Sequence, residues 1–297
     1  MKNLIVNIFK TLFFFDFALI AISLIPDIKT ENTALLTLWR EGVSLAVIVL
    51  FTLIFLKKVE KKKLPLKQKK SNFGHAFKGI LIGAVLPLTV LGIMWLLKSF
   101  TFSGFNKVSD WWFILPAILC NAVAGELLIR GYLFSLYKKH YGFIFTAVTT
   151  TLLFLSMNLE ILKADKIYAA VIILLNILLC FVLEYTGSHV ITIFARFIYS
   201  LLSGFIIGGK LFGEAYPVLG KSTFSGKALI NGGEYKIEGS IITLIILSLT
   251  VFIMLTVKYK LWRYLSKAYI RYYISSIKKF FGSIPKRISR RRRLIRR

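Results

Sequence analysis

Eight stretches of this chain, at about 4–25, 34–56, 78–97, 111–133, 142–158, 167–186, 189–208 and 240–257, are long, almost wholly apolar and continuous. A helix that crosses a bilayer needs roughly 20 such residues. Within lipid, every backbone N–H and C=O must find a partner inside the protein, which leaves helices and closed barrels. A barrel strand would alternate apolar and polar residues, and these runs do not alternate. With 57% hydrophobic residues and a mean hydropathy of +0.72 over 297 residues, the chain carries more apolar side chain than a soluble domain could hide. The expectation is an all-α polytopic membrane helical bundle of about eight transmembrane helices. The first run follows Lys2 but lacks a small-x-small cleavage site, so it reads as a retained helix rather than a signal peptide.

The formal net charge is +27, which in a soluble protein would point to nucleic acid. Its distribution argues otherwise. Lys57–Lys70 holds eight lysines and one glutamate, and Lys258–Arg297 holds 15 Lys and Arg with no acid. Both clusters abut apolar runs, where basic residues mark the cytoplasmic side and attract anionic lipid. Placing Lys57–Lys70 inside puts both termini in the cytoplasm, with Lys138 and Lys139 inside and the 207–238 segment outside. The tail interleaves its bases with Trp262, Tyr264, Tyr269, Tyr272 and Tyr273, a pattern suited to the headgroup level. It ends in the run Arg290, Arg291, Arg292, Arg293, the candidate lipid-binding residues; no nucleic acid is expected. The chain thus divides into residues 1–70, two helices and a basic loop; 71–257, a membrane core; and 258–297, a basic aromatic tail. Plentiful Lys, Ile and Phe with few Cys fit a bacterial multi-pass protein of the plasma membrane.

Several spans carry polar residues: Asp16, Arg40 and Glu41 near the outer end of the second run, Glu126 and Arg130 in the fourth, Arg196 in the seventh, and Asn121, Asn158, Asn176 and Ser200. Such groups face the bundle interior or an interface. Glu126 and Arg130 stand four apart, one helical turn, within Gly125-Glu126-Leu127-Leu128-Ile129-Arg130-Gly131-Tyr132-Leu133-Phe134. A buried ion pair of Glu126 with Arg130 or with Arg196 would brace the fold. Charges at mid-membrane can also line a transport path, but matched broken helices and an acidic relay are lacking. Cys120 and Cys180 sit inside apolar runs and read as buried thiols. His75, His140 and His189 are scattered at interfaces. With no HExxH or CxxC, neither a metal nor a cofactor is expected.

The segment from Gly125 to Phe134 resembles the first motif of the CPBP family, the CAAX proteases and bacteriocin-processing enzymes also called Abi proteins, which are intramembrane endopeptidases. That motif is E-E-x-x-x-R, usually followed by G-x-L-F. Every marked position matches except the first glutamate, which here is Gly125. The family's second motif, F-x-x-x-H, falls on Phe154-Leu155-Ser156-Met157-Asn158, with asparagine for histidine. Its third, H-x-x-x-N or H-x-x-x-D, falls after Gly187-Ser188 on Arg196 and Ser200. The stretch Asn231–Gly239 is similar to a segment that precedes the last helix in many bacterial members.

The resemblance implies a mechanism in which the first glutamate and first histidine polarise a water, and the second histidine and its Asn or Asp partner stabilise the oxyanion. Gly125 has no side chain, Asn158 is no base, Arg196 is permanently charged and long, and Ser200 is a short donor. Glu126 projects about 100° away from the position it would have to replace. The expectation is a CPBP member with degenerate motifs, a pseudoprotease that serves as binding or scaffolding partner of another membrane or cell-envelope protein. The alternatives are an active endopeptidase centred on Glu126 and, last, a lipid or ion carrier.

Overall fold

The computed structural model of the chain describes residues 2–59, 73–210 and 216–259. Helices follow the apolar runs: α1 Lys2–Ser23, α2 Thr33–Ile54, α3 Phe73–Leu96, α4 Trp111–Glu126, α5 Phe134–Met157, the short α6 Leu159–Lys163, α7 Lys166–Thr186, α8 His189–Ser200, the short α9 Ala228–Asn231 and α10 Ile241–Lys258. Seven continuous helical stretches are long and apolar enough to cross a membrane, and their outward faces are apolar, with Phe9, Phe13, Val85, Leu152 and Ile245 all exposed. The chain is a polytopic helical membrane protein.

The expected count was about eight, and the difference lies in one segment. Trp111–Met157 is helical for 47 residues, which as one rod would be about 70 Å long, more than twice the hydrocarbon core. It does not run straight. Gly142 takes φ 78° and ψ 178°, a conformation that a side chain would oppose. The chain folds back there, so that the rings of Phe134 and Phe143 lie 6.4 Å apart and those of Tyr137 and Phe145 5.8 Å apart. Further from the turn, Ala124 and Leu128 of the first leg border one cavity with Phe154 and Asn158 at the end of the second. The runs at 111–133 and 142–158 are therefore two antiparallel legs of one helical segment.

Local chemistry sets the helix ends. Asn32 caps α2 by accepting from the backbone N–H groups of Ala34 and Leu35, while its amide donates to Asp110 ahead of α4 at 2.8 Å. Asp165 caps α7 in the same manner, and Gly187 ends it in the left-handed conformation. Helix α1 is tied to α5 by a Thr11–Tyr137 hydroxyl contact of 2.7 Å and by Asn7 donating to Tyr141 at 3.2 Å.

Helices α3 and α8 approach very closely. A Cβ on Gly79 would stand 2.6 Å from the Ile191 carbonyl oxygen, and one on Gly83 would stand 2.3 Å from that of Ala195. Small residues four apart let two membrane helices touch backbone to backbone, where dispersion contacts hold them. This crossing fixes the height of Arg196, the residue after Ala195.

Apolar patterning carried no sign of the one sheet among the described residues. β1, Phe100–Phe105, pairs antiparallel with β2, Gly220–Phe224, and the register shifts between Phe102 and Gly104. The stretch Asn231–Gly239 forms a tight knot of a helical turn and a 3-10 turn, Gly233–Gly239, that buries Glu238 against the Tyr199 hydroxyl. The chain divides into two compact units, Met1–Ser248 and Leu249–Arg297. The second holds the end of α10 and is described as far as Tyr259. Arg290, Arg291, Arg292 and Arg293, and the lysines of the Lys57–Lys70 run beyond Lys58, lie outside the described residues.

Candidate functional site

The α4 helix carries the first motif to its C-terminal end, and at Leu127–Leu133 the winding widens into a π turn. A second π turn, Leu201–Ile206, begins directly after Ser200. Such turns are uncommon and concentrate at functional sites. These two start one residue past a motif position, Glu126 and Ser200 respectively, whereas a third, Phe55–Val59, follows α2 away from the motifs.

Glu126 and Arg130 are fully buried. Arg130 Nη1 donates to Glu126 Oε1 at 2.5 Å, and its Nη2 donates to both the backbone oxygen and Oδ1 of Asn176, each at 2.9 Å. Of the two pairings open from sequence, Glu126 with Arg130 is the one that forms a hydrogen-bonded ion pair. It ties α4 to α7. Removing one partner of such a pair would leave a charge stranded in the interior.

Around the helix from Glu126 lies a cavity of about 220 Å³. Three of the four degenerate positions border it: Gly125 from α4, Asn158 at the end of α5, and Arg196 from α8. Ser200, one turn beyond Arg196, is buried but lies outside that lining. The Asn158 amide donates to the backbone oxygen of Phe154 at 3.0 Å, so it closes its own helix. His75 and His189 are half-buried, His140 is exposed, and none of them borders the cavity.

The Gly125 and Arg196 positions fit each other. A Cβ built on Gly125 would stand 2.7 Å from Arg196 Cζ, 2.7 Å from Nη1 and 2.9 Å from Nη2. The guanidinium lies flat over the glycine and takes the volume where a glutamate side chain would begin. Arg196 Nη2 donates to Asn121 Oδ1 at 3.3 Å, and Asn121 Nδ2 donates to Glu41 Oε1 at 3.1 Å. Glu41 is buried, lies on α2 and borders the same cavity with Ser44 and Ile48.

Sequence reasoning left Glu41 near the outer end of its span and gave Asn121 only a general interior role. The signal for both was periodic. Asn121 precedes Gly125 by one turn, and Glu41, Ser44 and Ile48 fall on one face at the i, i+3, i+7 spacing. Glu41 was separated from its neighbour Arg40, which points the other way. Arg40 pairs with Asp27 in the α1–α2 connection through bonds of 2.9 and 2.5 Å. That arginine holds the exposed Asp27 carboxyl below its ordinary range, chiefly through the hydrogen bond. Among the described residues, no group of three His, Cys, Asp or Glu side chains is placed to hold a metal ion.

Residues 107–202, which contain all four motif positions, match the family model described as type II CAAX prenyl endopeptidase Rce1-like. The matched region is consistent with the CPBP family. Comparison with curated proteins and with solved structures gave no match. The CPBP-type region begins after α2, so Glu41 reaches the motif cavity from a helix outside the matched residues. The cavity is built jointly by the family core and by the N-terminal helices, with Leu19 and Ile22 of α1 completing its wall.

Proposed function

We propose that this CPBP-type membrane protein is catalytically inactive and works as a binding partner, with the former protease cavity as its recognition pocket. The observation that carries the reading is the Arg196 guanidinium seated on Gly125. The place from which a glutamate would activate water is filled by a cation that is itself hydrogen-bonded to Asn121. A base has to reach the proton it removes, and Asn158 offers none. Glu126 does not step in, because its carboxylate serves Arg130 and does not border the cavity. The partner is another membrane or cell-envelope protein, or a membrane-embedded molecule that fits the pocket. The setting is the plasma membrane of a bacterium, where the basic tail and the Lys57–Lys70 loop would meet anionic lipid.

Two variants test the claim of inactivity. Glu126→Gln keeps a hydrogen-bond acceptor for Arg130 but not its counter-charge, and is expected to fold with less loss than Glu126→Ala. Glu126→Ala strands Arg130 and is expected to lose about 3–5 kcal/mol. Neither variant should differ from the parent in cleaving CAAX-type or other membrane peptides, because the parent should not cleave them at all. Cleavage by the parent that Glu126→Gln abolishes without harming the fold would return the protein to the proteases. Co-purification from its native membrane tests the binding role, and a protein that always elutes alone would count against it.

A further inference from the structure

The charges bordering the cavity constrain what it can hold. Arg196 and Glu41 border it from two helices, α8 and α2, and Asn121 joins them by accepting from one and donating to the other at 3.3 and 3.1 Å. Both charged residues are buried. The cation and the anion are in the same hydrogen-bonded chain, and the buried Glu126–Arg130 pair close by is itself neutral, so the pocket as built is electrically balanced. A ligand with a net charge would upset that balance in a setting where an uncompensated charge is strongly disfavoured. The other polar side chains at the wall, Ser44 and Asn158, are uncharged, and the remaining surface is aliphatic or aromatic. The volume of about 220 Å³ is roughly that of seven waters at ~30 Å³ each, enough for one short chain and its head but too little for a folded segment.

We infer that the cavity binds an uncharged amphiphile: an apolar chain with a hydroxyl, ester or amide head, selected by the mutual neutralisation of Glu41 and Arg196. This rests on the reading of the cavity as a recognition pocket and adds the class of its ligand. Asn121 is the positioning residue that keeps the two charges in register. Glu41 and Arg196 are the specificity-determining residues, because removing either charge leaves the pocket with a net charge that attracts a ligand of opposite sign.

The test uses the full chain in nanodiscs of fixed lipid composition, with isotopically labelled decanol, decanoate and decylamine as probes. The parent should retain decanol about tenfold more tightly than either charged probe. Glu41→Gln should shift the preference to decanoate and Arg196→Gln to decylamine, each by a similar factor. The double variant Glu41→Gln with Arg196→Gln should return to decanol. If the single variants do not fold, as judged by elution and a cooperative thermal transition, the parent and the double variant still decide. Equal or tighter retention of a charged probe by the parent overturns the inference and leaves the pocket reading standing. So do single variants that fold and keep the parent's preference. Absence of saturable retention of all three probes by a folded parent sinks the pocket reading itself.

Discussion

At the scale of single residues, the changes from the family's motif are not independent losses. Gly125 and Arg196 occupy one volume between them, and the contact is with the end of a flexible side chain rather than with backbone. Gly125→Ala is therefore expected to fold after Arg196 swings aside, at a cost of about 1–3 kcal/mol for the forced repacking. Arg196→His shortens the side chain and removes the collision, so the double variant should be more stable than the sum of the two single effects requires. A double-mutant cycle on thermal midpoints in detergent measures this, with a coupling of about 0.5–3 kcal/mol expected for residues in contact. Additive effects would mean that the two positions do not share the space. The sequence revealed Gly125 as a departure from the motif. It could not reveal why arginine follows, because the two residues are 71 apart in sequence and meet only when α4 and α8 pack.

Among the elements, the crossing of α3 and α8 is the joint on which the site depends. Gly79 and Gly83 lie against backbone atoms, which cannot yield as an arginine can. Gly83→Ala should separate the helices and destabilise the fold by about 1–3 kcal/mol, and Gly83→Leu should abolish the folded yield. Both should also displace Arg196 from Gly125. Gly92→Ala, on the same helix with open space around its Cβ position, is the control and should be nearly silent. The α1–α2 connection makes a different kind of prediction. The Asp27 carboxyl is held below its ordinary value by Arg40, so its support for the fold is present above the unfolded carboxylate pKa and fades as pH falls through the lower native one. The pair is exposed, and the effect is correspondingly small. Asp27→Asn should lower the thermal midpoint slightly and by a constant amount at neutral and mildly acidic pH. The difference should close only in strong acid, below the usual carboxylate range; a gap that opens on acidification would reverse the sign of the argument.

Over the whole molecule, the apolar runs disclosed the class of fold because lipid permits so few alternatives, and the basic clusters supplied a direction. What they could not disclose was contact between distant segments. The β1–β2 ribbon pairs residues more than a hundred positions apart, and Glu41 joins the motif cavity from outside the family-matched residues. Apolar periodicity records which face is buried, not which partner lies opposite it. The turn at Gly142 accords with the eight apolar runs counted from sequence, although Trp111–Met157 is helical from end to end. Counted as one crossing it would give seven in all, with the termini on opposite sides. Folded back at Gly142 it gives eight, with both termini on one side. Reporter fusions at each terminus, with labelling of single cysteines placed at Lys139 and Lys163, distinguish the two. The termini and position 139 should report the same side and position 163 the other. Termini on opposite sides would mean that Gly142 bends the helix without returning it across the membrane. The two legs could then not bring Gly125 and Asn158 to one cavity, and the site described for this protein would not exist.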